Sequence, residues 1–202
     1  MIWLASYPRS GNTLLRTILN DCFDVVTGSK YPEADTYAPH RQLIGLERGL
    51  PSRLMKTHDH PTDDAPAIVS VRDGRASVVS YWHFLGDYSE PVDLRNVISG
   101  SVGFGSWSDH VRAWNPETRP DTLRLRFEEF SVDPEVAIEA LATFLNLRPL
   151  RRFDKTFDDL QMVDAKFFRS GDNAANIREL SGDNLALFTE VHGPTMRHLG
   201  YW

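Results

Sequence analysis

Residues 3–16 read WLASYPRSGNTLLR, and the chemistry available in that stretch is anion binding. Gly11 permits close approach to the backbone, Ser10, Asn12 and Thr13 carry hydrogen-bond donors, and Arg9 carries a full positive charge. Backbone N–H groups at the start of a helix point outward without partners and carry partial positive charge. A loop of small residues there can wrap a phosphate or a sulfate, although the same loop also serves as a plain strand-to-helix turn. The pattern GxxxxGK(S/T) is missing, so the ordinary ATP-binding P-loop is not spelled out. A second arginine-bearing joint follows at residues 71–85, VRDGRASVVSYWHFL, with Arg72 and Ser80 in it.

Such joints require strands and helices on either side. The apolar run Ile2–Tyr7 reads as a buried strand, and Leu14, Leu15, Ile18, Leu19 and Cys22 recur at helical spacing after it. Residues 27–52 are polar with little periodicity, and RLMKTHDHP then begins as a short strand ending near Thr57. Residues 67–71 read as a third strand, with a turn at Asp73 and Gly74 and a helix carrying Val78, Val79, Trp82 and Leu85 on one side. Residues 86–121, rich in Gly, Ser, Pro and Asp, read as a mobile wall or lid with a short helix in SWSDHVRAW. TLRLRF reads as a strand. SVDPEVAIEALATFLNL reads as a helix capped by Asp133, with Pro134 in its first turn and Ala137, Ile138, Leu141, Phe144 and Leu145 as the buried stripe. A last helix is expected from Ser181 to Gly193, ending before Pro194.

Strands alternating with helices predict an α/β fold, three layers with a central parallel sheet. With 202 residues, 41% hydrophobic and 25% charged, the expectation is one domain over residues 1–202. A formal charge of −6 argues against a general nucleic-acid binder, which needs Lys and Arg over a broad face. The single Cys22 excludes an internal disulfide and a cysteine-based metal cluster, and reads as buried filler. No apolar run approaches the ~20 residues of a membrane span, and a strand beginning at residue 2 leaves no room for a signal segment. The chain reads as cytoplasmic.

The loop YPRSGNTLLR resembles the 5′-phosphosulfate-binding loop of the cytosolic-type sulfotransferases, whose usual form is YP(K/R)SG(T/N)TW. Four further segments agree in the family's order. RLMKTHDHP is similar to KTH(L/F)P, VRDGRASVVSYWHF to RDPRDVxVSxxHF, GSWSDHVRAW to GSWxxHVxxW, and FFRSG to FxRKG. LFTEVHGPTMRHLGY also resembles the closing segment of bacterial members. The resemblance implies a P-loop-NTPase-like fold and the donor 3′-phosphoadenosine 5′-phosphosulfate, which leaves as 3′-phosphoadenosine 5′-phosphate (PAP). It implies in-line transfer of the sulfuryl group to an acceptor hydroxyl or amine.

Residue by residue, the resemblance places Arg9, Ser10, Gly11, Asn12 and Thr13 at the 5′ end of the donor, and Arg72 and Ser80 at its 3′ phosphate. Arg169, Ser170 and Gly171 join the 3′ phosphate. Leu14 stands where the family has a tryptophan against the adenine, and Phe127 where it has a tyrosine. Ser170 replaces the family's lysine, and the later Gly and Trp of that motif are absent. The catalytic set is His58, Lys56 and Arg9. Imidazole titrates near neutrality and can take the proton of an acceptor hydroxyl. Seven histidines are present, and the KTH match singles out His58; His60 reads as solvated loop. Lys56, two residues earlier, projects to the same side of an extended segment, where an ammonium can stabilise charge on the departing phosphate oxygen.

No constellation reads as a metal site, and none is expected. Phe84, Tyr88, Phe104, Trp107 and His110 read either as pocket walls or as core. The partner expected is a small-molecule acceptor, with no nucleic acid and no membrane; the sequence assigns neither the acceptor's identity nor an oligomeric state. A kinase-type phosphotransferase and a non-catalytic 3′-phosphonucleotide-binding protein are the rival readings.

Overall fold

The computed structural model describes residues 1–31, 38–46, 52–169 and 171–202. In chain order the elements are β1 (Ile2–Ser6), α1 (Asn12–Phe23), β2 (Gly28–Ser29), α2 (Ala38–Leu43), β3 (Leu54–Thr57), β4 (Ala67–Val71), α3 (Gly74–Tyr88), α4 (Leu94–Ser99), α5 (Trp107–Ala113), β5 (Thr122–Arg126), α6 (Phe127–Phe130), α7 (Pro134–Leu145), α8 (Phe157–Val163), α9 (Asn173–Glu179) and α10 (Gly182–His198). The strands form one sheet in the order β2-β3-β1-β4-β5, with every adjacent pair parallel.

The pleat divides the core in two. Leu4, Ile68 and Leu125 point to the face packed by Leu15, Ile18 and Leu19 of α1 and Ile138 and Leu141 of α7. Trp3, Ala5, Val69 and Val71 point to the other face, against Val78 and Val79 of α3, Ile98 of α4, Trp107 of α5 and Phe188 and Met196 of α10. Each buried side chain of this size contributes about 1.5–3 kcal/mol, so both faces must be covered and a three-layer arrangement follows. Because β3 and β4 flank β1 on opposite sides, the chain reverses direction across the sheet at β1. The crevice at its C-terminal end is where ligands of open parallel sheets bind.

Local signals act as expected over much of the chain. Asp133 caps α7, its side chain accepting from the Glu135 N–H, with Pro134 in the first turn. Cys22 is fully buried. Three readings change. The edge strand β2 lies within the polar segment after Thr27, two residues being too short for a periodic signal. Residues 86–121, expected as a lid, contain α4, capped by Asp93 and ended by Gly100 in the left-handed conformation, with Leu94, Val97 and Ile98 buried in the core. The last helix does not stop at Gly193 but runs through Pro194 to His198. Phe188, His192 and Met196 recur four residues apart and are all fully buried. That burial outweighs the one backbone hydrogen bond that proline removes.

Candidate active site

The loop between β1 and α1 is built from two left-handed residues, Arg9 at φ 65° and Gly11 at φ 91°. Gly11 stands at the N-cap of α1. A Cβ there would meet Phe127 Cδ2 at 2.4 Å, so the position is closed to any other residue by conformation and by space alike. Ser10 is buried, its Oγ 3.1 Å from Ser77 Oγ of α3. Asn12 is also buried, and its Nδ2 donates to Leu4 O at 3.1 Å and Ser6 Oγ at 3.2 Å. The side chains of Ser10 and Asn12 therefore fasten the loop to the sheet and to α3. The first-turn N–H groups of α1, including those of Thr13 and Leu14, remain without helical acceptors.

His58 follows directly after β3. Its Nδ1 lies 2.7 Å from Ser6 O. A carbonyl oxygen only accepts, so Nδ1 carries the proton and Nε2 holds the lone pair. The ring stacks on Tyr31 at 5.7 Å and 9° and meets the edge of Phe104 at 5.3 Å. Tyr31 Oη in turn accepts from the His58 N–H at 3.0 Å. Burial, and next the nearby Lys56 ammonium, push the imidazole down to about 3, so it is neutral at physiological pH. Lys56 lies on β3, in register with Leu4 of β1.

The cationic side of the crevice is a cluster of guanidinium groups. Arg9 Nε donates to Ser80 Oγ at 3.3 Å, a second of its nitrogens donates to Phe167 O, and its Cζ lies 4.0 Å from the centroid of the Phe167 ring. Burial first, and then Arg72, push Arg9 down to about 10, with Arg169 adding to the effect. Arg72 is 7% exposed. Its Nε and Nη2 donate to Asn173 Oδ1 at 2.8 and 2.5 Å, its Nη1 donates to Arg9 O at 2.9 Å, and Phe127 covers it at 4.7 Å. Arg169 is exposed and donates to Asn176 Oδ1. Three mutually repelling guanidinium groups beside a helix start form a site whose electrostatics call for an anion. The residues present fit a donor with two separated negative groups.

Of the residues singled out from the sequence, Arg9, Gly11, Arg72 and Phe127 are thus in one contiguous group, with Ser80 reaching Arg9 rather than Arg72. Leu14 packs toward Leu43, Ile44 and Leu160. Gly171 is left-handed at φ 57° with Phe157 in the space a Cβ would take, and Ser170 lies outside the described residues. Phe104 lines the His58 ring and Phe84 lies 5.5 Å from Arg9. Tyr88 stacks on Phe84 at 4.9 Å. Trp107 and His110 are core: Trp107 Nε1 donates to Arg72 O at 3.2 Å, and both rings are buried. Sequence reasoning missed Tyr31, Phe167, Glu128 and Asn173. The last is the direct partner of Arg72, and its one signal is its place just after the FRSG segment. Among the described residues, no group of three or more His, Cys, Asp and Glu side chains is placed to hold a metal ion, and no helix is long and apolar enough to cross a membrane. A separate cavity of about 300 Å³, lined in part by Val71, Trp114, Arg124 and Leu199, shares no residue with the site.

The sheet order, the three layers and the arginine cluster beside the β1–α1 joint define an α/β protein with a cationic crevice at the end of its central strand. The chain belongs to the sulfotransferase family: the family model described as "Sulfotransferase domain" matches residues 1–176. It is 34% identical to mouse sulfotransferase 1B1 over 188 residues, covering 78% of this chain and 60% of the relative. It is 26% identical to rabbit (Oryctolagus cuniculus) sulfotransferase 1C2 over 201 residues, covering 84% and 65%. The chain thus spans less than two thirds of the length of these relatives. Mouse sulfotransferase SULT7A1, solved in complex with PAP, superposes with a TM-score of 0.71 at 20% identity, covering 97% of this chain and 83% of that one. Retinol dehydratase, solved with androsterone and inactive cofactor PAP, gives a TM-score of 0.63 at 15% identity over 96% and 80%. The fold is therefore the P-loop-NTPase-like fold of the sulfotransferases.

Proposed function

We propose that this protein is a sulfotransferase acting as one cytoplasmic domain, taking its sulfuryl group from 3′-phosphoadenosine 5′-phosphosulfate and passing it to the hydroxyl or amine of a small-molecule acceptor without a metal ion. The observation that carries the reading is the tautomer of His58: Nδ1 is held by Ser6 O at 2.7 Å, which leaves Nε2 as a neutral base near Lys56.

The bound donor would supply a sulfuryl group activated by its link to phosphate. Arg9 and the start of α1 hold the 5′ end, and Arg72, with Arg169 and Gly171, the 3′ phosphate. His58 Nε2 takes the acceptor proton as the new S–O bond forms, and Lys56 and Arg9 stabilise the negative charge that grows on the departing phosphate oxygen. The rings of Tyr31, Phe104 and Phe84 near His58 and Arg9 suit an acceptor with a flat apolar body, such as a phenol. A bound polyanion beside His58 opposes the depression of its basicity, so the base strengthens when the donor arrives.

The test is formation of PAP from the donor, with a chelator present, against a panel of phenols, alcohols, amines and sugars. The expected result is acceptor-dependent turnover. Turnover only with Mg·ATP supports a phosphotransferase instead, and PAP binding with no transfer to any acceptor supports a non-catalytic binder.

A further inference from the structure

We propose that Glu128 is a positioning residue for the 3′-phosphate site, acting on Arg72 through Asn173; the inference rests on the donor reading above. Glu128 lies on α6, directly after β5. Its Oε1 accepts from the Asp73 N–H at 2.8 Å and from Asn173 Nδ2 at 3.1 Å, and its Oε2 accepts from Tyr201 Oη at 2.9 Å. One carboxylate thus gathers the start of α3, the start of α9 and the C-terminal tail.

The consequence for Arg72 follows from the amide of Asn173. Its oxygen receives Arg72 Nε and Nη2, and its nitrogen faces Glu128. Turning the amide over would set donors against the donors of Arg72 and an oxygen against the carboxylate, so Glu128 fixes the orientation in which Asn173 can hold the guanidinium. Arginine has five N–H groups. Asn173 takes two and Arg9 O a third, with Phe127 on the ring face. The two left over point in a direction set by this frame, and they are the ones available to a phosphate. The carboxylate also subtracts from the positive potential near Arg72. Orientation and charge therefore pull in opposite directions, and the proposal is that orientation dominates.

The experiment compares calorimetric affinities for PAP and for adenosine 5′-phosphate, which lacks the 3′ phosphate, in the wild type and in Glu128→Ala, Asn173→Ala and Tyr201→Phe. Wild type should prefer PAP by at least about tenfold, the scale of one charge-assisted hydrogen bond. Glu128→Ala, which removes both acceptor oxygens, should lose about tenfold on PAP and less than twofold on adenosine 5′-phosphate, should lower kcat little, and should have no further effect in an Arg72→Lys background. Asn173→Ala should match it, which keeps the proposal open to test if Glu128→Ala does not fold, and Tyr201→Phe should show a smaller loss in the same direction. Equal losses on both nucleotides, or a PAP affinity that is unchanged or raised, would overturn the positioning role while leaving the donor reading intact. A wild type that does not distinguish the two nucleotides would overturn the donor reading and this role with it.

Discussion

Among single residues, His58 carries the proposed proton transfer, as a neutral imidazole with one nitrogen tied down. His58→Ala should lower kcat by about 10²–10⁴-fold, the usual contribution of a positioned base, while PAP affinity stays within twofold. Equal losses in kcat and PAP affinity would place His58 in donor binding instead. Because burial and Lys56 hold His58 near 3, the acid limb of kcat/KM should fall well below the 6.5 of an ordinary histidine. Removing the ammonium in Lys56→Met should raise the His58 pKa, as read from the ring carbon shifts in NMR titrations. His58 was legible because it ends a KTH segment at a strand terminus. Tyr31, stacked on it, was not, because a single aromatic in a polar segment carries no periodic signal. Asn173 escaped for a related reason: a short polar side chain near a helix start reads as local capping, and its contact with Arg72 spans 101 positions.

At the scale of elements, the joint between β1 and α1 is the part least tolerant of change. Gly11→Ala forces a side chain into φ 91° and against Phe127. It should cost about 1–3 kcal/mol in urea unfolding, with a loss of PAP binding as the loop shifts. Asp133→Ala removes the cap of α7 far from the crevice; it should cost about 1 kcal/mol and leave turnover unchanged. The contrast between the two separates loop geometry from general stability. Elements with a repeating apolar stripe, such as α1, α3 and α7, were readable in advance. Helix α4 was hidden by the loop-like composition around it, and α10 passes through a proline because Phe188, His192 and Met196 bind it to the core. Tertiary burial decided both, and composition does not report it.

Across the whole molecule, three histidines, two of them fully buried (His110 and His192) and one half-buried beside the crevice (His58), stay neutral when folded. Burial pushes His192 down to about 4 and His110 well below its ordinary value, alongside His58. In the unfolded chain these rings titrate near 6.5, so between pH 6.5 and about 4 the unfolded state binds more protons and stability must fall as pH falls. The slope is about 1.4 kcal/mol per pH unit for each ring. Urea midpoints measured across that range should decline steadily, and a flat profile would mean that the rings are not buried as described. The alternating strand and helix pattern made the three layers legible, and the two arginine-bearing joints made the crevice legible. The convergence of α3, α9 and the C-terminal tail on Glu128 of α6 was not, since it is a product of packing between segments distant in sequence.

Whether the crevice takes a 3′-phosphorylated adenine nucleotide, as proposed, is read from thermal unfolding with PAP against an ATP control, because a ligand that binds only the folded state raises the midpoint. A clear rise with PAP, little change with ATP or Mg·ATP, and loss of the rise in Arg72→Ala are expected under the donor reading. No rise with PAP, or a larger one with Mg·ATP, would contradict it.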